Sequence, residues 1–215
     1  MSVSRLDLRK SLHDYYSPPS GEVELVTLPE MKYIMADGRG DPQDESFQRA
    51  MGVLFSLAYA LRFRSKKLLR RDYSVMTPEA LWWVRGGGFD SSKRDEWLWT
   101  LMVVVPDSIS CKMFDEARLE VREKKNPPGI GRARFETLDE GLCIQTMHVG
   151  PYSTVAESIS RLEAFARTHG YRMIGKHHEI YLGDPIRAKP SKLRTIIRRP
   201  LARVSLESRM CSIRD

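Results

Sequence analysis

The strongest constraint on how this chain folds is a repetition within it. Residues 28–40 line up with residues 138–150, each stretch ending in a glycine turn just ahead of a predicted helix. Tyr73-Ser-Val-Met, followed by Leu81-Trp82-Trp83-Val84, lines up with Tyr171-Arg-Met-Ile, followed by Glu179-Ile180-Tyr181-Leu182. Leu98-Trp-Thr-Leu-Met matches Leu193-Arg-Thr-Ile-Ile. Three segments recurring in one order predict two β-α-β-β units related by a pseudo-twofold axis. The expected fold class is therefore α+β, with tandem duplicated β-α-β-β repeats around a central groove. The repeats run over about 22–106 and 132–200, joined by a helical connector at about 107–128, in a single domain spanning residues 1–215.

Hydrophobic spacing fills in the elements. Leu8, Leu12, Tyr15 and Tyr16 share one helical face within residues 5–16, and the Pro/Ser/Gly stretch at 17–21 breaks that helix. Strands are expected at 22–28 and 31–36. A turn follows at Asp37-Gly38-Arg39-Gly40-Asp41-Pro42, where glycines allow unusual backbone angles. Phe47, Ala50, Met51, Leu54, Ala58 and Leu61 recur every three or four residues and predict a helix over 45–64. Residues 73–84 and 97–105 read as two strands of a hairpin that carries all four tryptophans. Helices are expected over 112–125 and from Val155 to Gly170, and extended segments at 135–147, 171–182 and 193–199. From Ala202 on, the chain reads as a loosely held polar tail.

Composition excludes several classes. No apolar run approaches the length of a membrane span, and the first residues lack a secretory h-region. Cys111, Cys143 and Cys211 have neither disulfide-framework nor metal spacing, so a reduced, cytoplasmic protein is expected. The net charge of +7 is concentrated at 62–71 and 189–203 without any nucleic-acid-binding motif, which favours solvated faces over nucleic acid. His177 and His178 sit beside Glu179, but adjacent strand residues point to opposite faces and no further ligand set accompanies them. No metal and no cofactor are expected.

The chemical oddity is Glu179, a carboxylate in the middle of the short strand His178-Glu179-Ile180-Tyr181-Leu182. Burying it is costly without compensation, so it belongs either on a solvent face or in a cleft that uses its charge. Alternation places Glu179 and Tyr181 on one face, His178 and Ile180 on the other. The repeat sets the Trp82-Trp83 strand of one half against the Glu179-Tyr181 strand of the other. Only one of Trp82 and Trp83 can then enter the groove. The repeat favours Trp83, and a one-residue slip reverses that choice. Tyr33 is a further candidate for the groove wall. His148, at the turn before the second helix, reads as a structural hydrogen-bonding residue rather than a base.

Five pieces in order carry a family resemblance: Asp37-Gly38-Arg39-Gly40-Asp41-Pro42, Ser56-Leu57-Ala58-Tyr59-Ala60-Leu61, Glu79-Ala80-Leu81-Trp82-Trp83, His148-Val149-Gly150-Pro151-Tyr152 and His178-Glu179-Ile180-Tyr181-Leu182-Gly183-Asp184-Pro185. The chain resembles the GyrI-like small-molecule-binding family, relatives of the effector-binding domains of multidrug-responsive and AraC-type regulators. It looks like the stand-alone branch, some members of which hydrolyse cyclopropane-bearing alkylating compounds. The resemblance implies tandem β-α-β-β repeats of the SHS2 type and a groove of aromatics with an acidic residue at its base. Matched onto this chain, Glu179 pairs with flat, cationic ligands, and Tyr181, Trp83, Trp82, Tyr152, Tyr33 and Glu79 surround it. If the chain is an enzyme, Glu179 is the expected general base, its pKa raised by desolvation among aromatics. Tyr152 or Tyr181 would hydrogen-bond a substrate carbonyl. The alternative from another class is a protein-interaction module that sequesters a partner such as a gyrase-like target, so a protein partner stays open beside the small-molecule ligand.

Overall fold

The computed structural model describes residues 3–90, 92–183 and 188–204. Asp184 and Pro185, which end the strand motif, lie outside the described residues, as do Cys211 and the tail from residue 205 on. Eleven strands and five α-helices are assigned among the described residues. The strands are β1 (Ser4–Leu6), β2 (Glu24–Thr27), β3 (Met31–Arg39), β4 (Arg71–Tyr73), β5 (Glu79–Trp83), β6 (Leu98–Val105), β7 (Arg134–Leu138), β8 (Leu142–Val149), β9 (Tyr171–Met173), β10 (His177–Tyr181) and β11 (Arg194–Arg203). The helices are α1 (Leu8–Ser11), α2 (His13–Tyr16), α3 (Glu45–Arg64), α4 (Cys111–Lys125) and α5 (Val155–Thr168).

The fold is α+β, built on one large antiparallel sheet in the order β2-β8-β11-β10-β5-β6-β3-β7, with β9 also on β11. A small parallel pair, β1 with β4, stands apart from it. The segment expected as one strand over 73–84 is split, because Pro78 supplies no N–H for a ladder and β5 starts only at Glu79. The segment over 171–182 is divided in the same way into β9 and β10, and that over 135–147 into β7 and β8, with Gly141 between them at φ 57°. The helix expected over 5–16 forms as two short pieces joined at Leu12.

β3 is longer than the spacing predicted and runs through Gly38. The reason is Trp99, the direct cross-strand partner of Gly38, whose ring lies over the glycine. A Cβ there would come within 2.1 Å of that ring. The turn begins only at Gly40, at φ 94°.

Strand registers sort the side chains into two layers. Trp82 pairs with His177 and with Trp99, and Ala80 pairs with Glu179, so these residues share one face with Tyr181. Two long helices, α3 and α5, lie on this face. α3 packs on β3 and β6 and stacks Phe47 on Trp82, with ring centroids 5.6 Å apart. α5 covers β8 and β9, and its Leu162 and Ala166 cluster with Ile144 and Ile197. α4 packs in turn against α3; Ser110 caps it by accepting from the Met113 amide, and Asn126 ends it in a left-handed conformation at φ 40°.

The other face, here called the back face, carries Glu79, Leu81, Trp83, His178 and Ile180. The N-terminal segment reaches its centre: the Tyr16 hydroxyl donates to Glu79 Oε1 at 2.6 Å, and Arg198 Nη2 donates to the Tyr15 carbonyl.

Candidate functional site

On the helix face, between the ground covered by α3 and that covered by α5, β10 presents His177, Glu179 and Tyr181 in a row. Glu179 keeps 13% of its side-chain surface exposed. Tyr181 is half-buried, and Tyr152, in a 3₁₀ turn leading into α5, is 41% exposed. Its ring meets Tyr181 edge to face, with centroids 6.0 Å apart. The floor is aromatic: Trp82 is 2% exposed and touches Trp97 edge-on at 5.3 Å, and Phe89 stacks on His177 at 4.3 Å and 13°.

A directed chain of hydrogen bonds ends on Glu179. Trp82 Nε1 donates to the Tyr181 hydroxyl at 3.0 Å, and that hydroxyl donates to Glu179 Oε2 at 2.8 Å. His177 Nε2 lies 3.0 Å from Glu179 Oε1. Burial works against the charge, but the hydrogen bond from His177, the positive charge of that imidazole whenever it is protonated, and the hydrogen bond from Tyr181 together outweigh it and leave the carboxyl below its usual range. The expectation of a raised Glu179 pKa is thereby corrected: desolvation is present, but two donors aimed at the anion win. Tyr181 is held neutral, its pKa pushed well up by burial and then by the Glu179 charge. Its proton is committed to Glu179, so the expected hydrogen bond from Tyr181 to a substrate carbonyl is not available in this arrangement.

Three of the expected groove residues belong to the back face. Trp83 is set opposite to Trp82 by the His177–Trp82 register, so Trp82 is the one that shares a face with Glu179. The face of the Trp83 ring is occupied instead by Lys176 Nζ, 3.4 Å from its centroid. Tyr33 and Glu79 are fully buried there. Glu79 accepts from Tyr16 and lies 2.9 Å from His178 Nε2. His178 Nδ1 lies 2.9 Å from Glu140 Oε2, and Arg198 Nη1 stands 3.8 Å from the same oxygen. The imidazole is raised to about 9, because the Glu140 and Glu79 carboxylates outweigh the burial that would lower it. A buried anion without partners costs several kcal/mol, and here the Glu79 and Glu140 carboxylates are balanced by His178 and Arg198, with all four side chains buried.

His148 is the structural residue expected. Its Nδ1 lies 3.0 Å from Ser158 Oγ on α5 and its Nε2 lies 3.1 Å from the Pro151 carbonyl. No His/Cys/Asp/Glu group suited to holding a metal occurs among the described residues, and no helix among them is long and apolar enough to cross a membrane. The residue that sequence reasoning passed over is His177. Its signal was present: in a strand with period two, His177 shares a face with Glu179 as surely as Tyr181 does.

A hydrolase from Listeria innocua is 36% identical over 93% of this chain and 100% of its own, with a TM-score of 0.84. An uncharacterised conserved protein from Listeria innocua is 34% identical over 92% of this chain and 100% of its own, with a TM-score of 0.85. The C-terminal domain of EcmrR, at 11% identity, covers 85% of this chain and 98% of that domain with a TM-score of 0.57, which shows a shared fold. No curated protein matches the chain. The family model described as the GyrI-like small molecule binding domain matches residues 21–202, nearly the whole sheet and both helices over it. The chain belongs to the GyrI-like family of small-molecule-binding domains.

Proposed function

We propose that this chain binds a small, flat, largely aromatic molecule carrying a positive charge, on the helix face between α3 and α5. The observation that carries the reading is Glu179: an ionised carboxylate, partly exposed, at the foot of a wall made by Tyr181 and Tyr152 over a floor containing Trp82. Aromatic faces bury a planar ligand, and each cation–aromatic contact contributes about 0.5–2 kcal/mol. The carboxylate supplies the counter-charge. In this reading the two strand–helix–strand–strand runs, β3-α3-β5-β6 and β8-α5-β10-β11, are the duplicated repeats of a single domain, and the groove follows the β5–β10 joint between them.

A second reading, hydrolysis, is favoured by the description of the Listeria innocua relative as a hydrolase at 36% identity. The substrate class in this reading is a cyclopropane-bearing alkylating compound. A carboxylate held below its usual pKa is a weak proton acceptor at neutral pH. Glu179 would therefore contribute mainly by orienting water and by stabilising positive charge that develops on the substrate. A thermal-shift screen with polycyclic cations and cyclopropane-bearing alkylators, followed by mass spectrometry of each mixture, tests both readings. A shift with cations and no mass change supports binding alone; a product heavier than the alkylator by one water supports hydrolysis. No shift and no product across the panel contradicts both.

A further inference from the structure

His177 is fully buried, its ring face lies against Phe89, and its two nitrogens have unequal surroundings. Nε2 is 3.0 Å from Glu179 Oε1, whereas Nδ1 is buried and has no hydrogen-bond partner among the described residues. Three protonation patterns are open to an imidazole, and the geometry separates them. The cation places a donor on Nδ1 with no acceptor for it. The Nδ1–H tautomer does the same and also turns the Nε2 lone pair toward a carboxylate oxygen. Only the Nε2–H tautomer gives Glu179 a donor and leaves a bare lone pair, the less costly orphan, in the apolar surroundings.

We propose that His177 is held as the neutral Nε2–H tautomer and acts as the positioning residue that sets the charge of the site: with ionised Glu179 it presents one net negative charge, and so selects a ligand bearing one positive charge over a neutral isostere. The selection rests on the binding reading above; the tautomer does not. Neutrality of His177 matters because an imidazolium at the same place would cancel the Glu179 charge from below and leave nothing for a cation to pair with. The hydrogen-bond chain from Trp82 through Tyr181 adds no charge of its own, since every member of it is neutral.

The tautomer is read directly from long-range proton–nitrogen NMR correlations of the His177 ring in the full chain at neutral pH. A pyrrole-like Nε2 with a pyridine-like Nδ1 is expected; two pyrrole-like nitrogens, or a pyrrole-like Nδ1, overturn the assignment. The positioning role is read from the Glu179 carboxyl titration followed by carbon NMR. His177→Phe, which keeps the stacking on Phe89 and removes the donor, raises the Glu179 midpoint, and His177→Gln, which restores an N–H, brings it back down. A midpoint unmoved in His177→Phe overturns the role. For selection, 10-methylacridinium and neutral acridine are compared at pH 8, with the cation expected to bind roughly tenfold tighter. Equal affinities overturn it. Failure of both dyes to bind, alongside the Nε2–H pattern, overturns the binding reading and leaves the tautomer standing.

Discussion

His178 Nε2 lies 2.9 Å from Glu79 Oε2, with both side chains fully buried on the back face of the sheet, directly behind Glu179. Neighbours in one strand thus serve two different clusters. The back-face cluster ties β10 to β5 through Glu79, to the β7–β8 connection through Glu140, and to the N-terminal segment through Tyr16. It fixes the strand from which Glu179 projects.

That cluster makes stability depend on alkaline pH. His178 has its pKa raised from 6.5 to about 9, so it binds a proton more tightly folded than unfolded. Its contribution is complete below about pH 6.5 and is lost as pH rises through about 9. His178→Gln leaves Glu79 and Glu140 without their shared cation and is expected to cost about 3 kcal/mol at neutral pH. Urea unfolding across this range is expected to show stability falling more steeply in the wild type than in His178→Gln. Parallel curves would contradict the charge assigned to His178.

Glu179 gives the opposite dependence. Its folded pKa is depressed below 4.5, so its contribution is present above that value and disappears as pH falls through the lower folded value. Tyr181→Phe removes one of the two donors, moves the Glu179 carboxyl midpoint upward, and leaves Trp82 Nε1 without its acceptor. The expected loss is about 1–3 kcal/mol. Carboxyl NMR titration together with acid unfolding checks both effects.

Two glycines should respond in opposite directions. Gly38→Ala drives a Cβ into the Trp99 ring and is expected to destabilise by about 1–3 kcal/mol or more. Gly52→Ala, inside α3 where an added Cβ meets nothing within 4 Å, is expected to stabilise by about 0.5–1 kcal/mol. Thermal unfolding of the two variants checks the pair.

The helices were legible because their apolar spacing is long and regular: the pattern from Phe47 to Leu61 predicted 45–64, and α3 is Glu45–Arg64. The tryptophan-bearing hairpin could be read from its two apolar, aromatic runs, and β5 and β6 do pair antiparallel. The faces were harder. Four of the five residues of β5 are buried, so alternation leaves no trace in Glu79-Ala80-Leu81-Trp82-Trp83, and only the register against β10 tells Trp82 from Trp83. The Tyr16–Glu79–His178–Glu140–Arg198 cluster was invisible because its members are spread from residue 16 to residue 198. Apart from Glu79, which the family resemblance singles out for the groove, each alone reads as an ordinary polar or aromatic residue. The depressed pKa of Glu179 is not legible in the strand motif, because the donation from His177 depends on the folded geometry of the two side chains.

If the Glu179 charge recognises the ligand, Glu179→Gln should lose that recognition, since the amide keeps the shape and removes the charge. Binding of a flat cationic dye, followed by fluorescence on wild type and variant, is expected to weaken by roughly tenfold or more, with the melting temperature of the variant still that of a folded protein. A folded Glu179→Gln variant that binds the cation as tightly as the wild type would contradict the account.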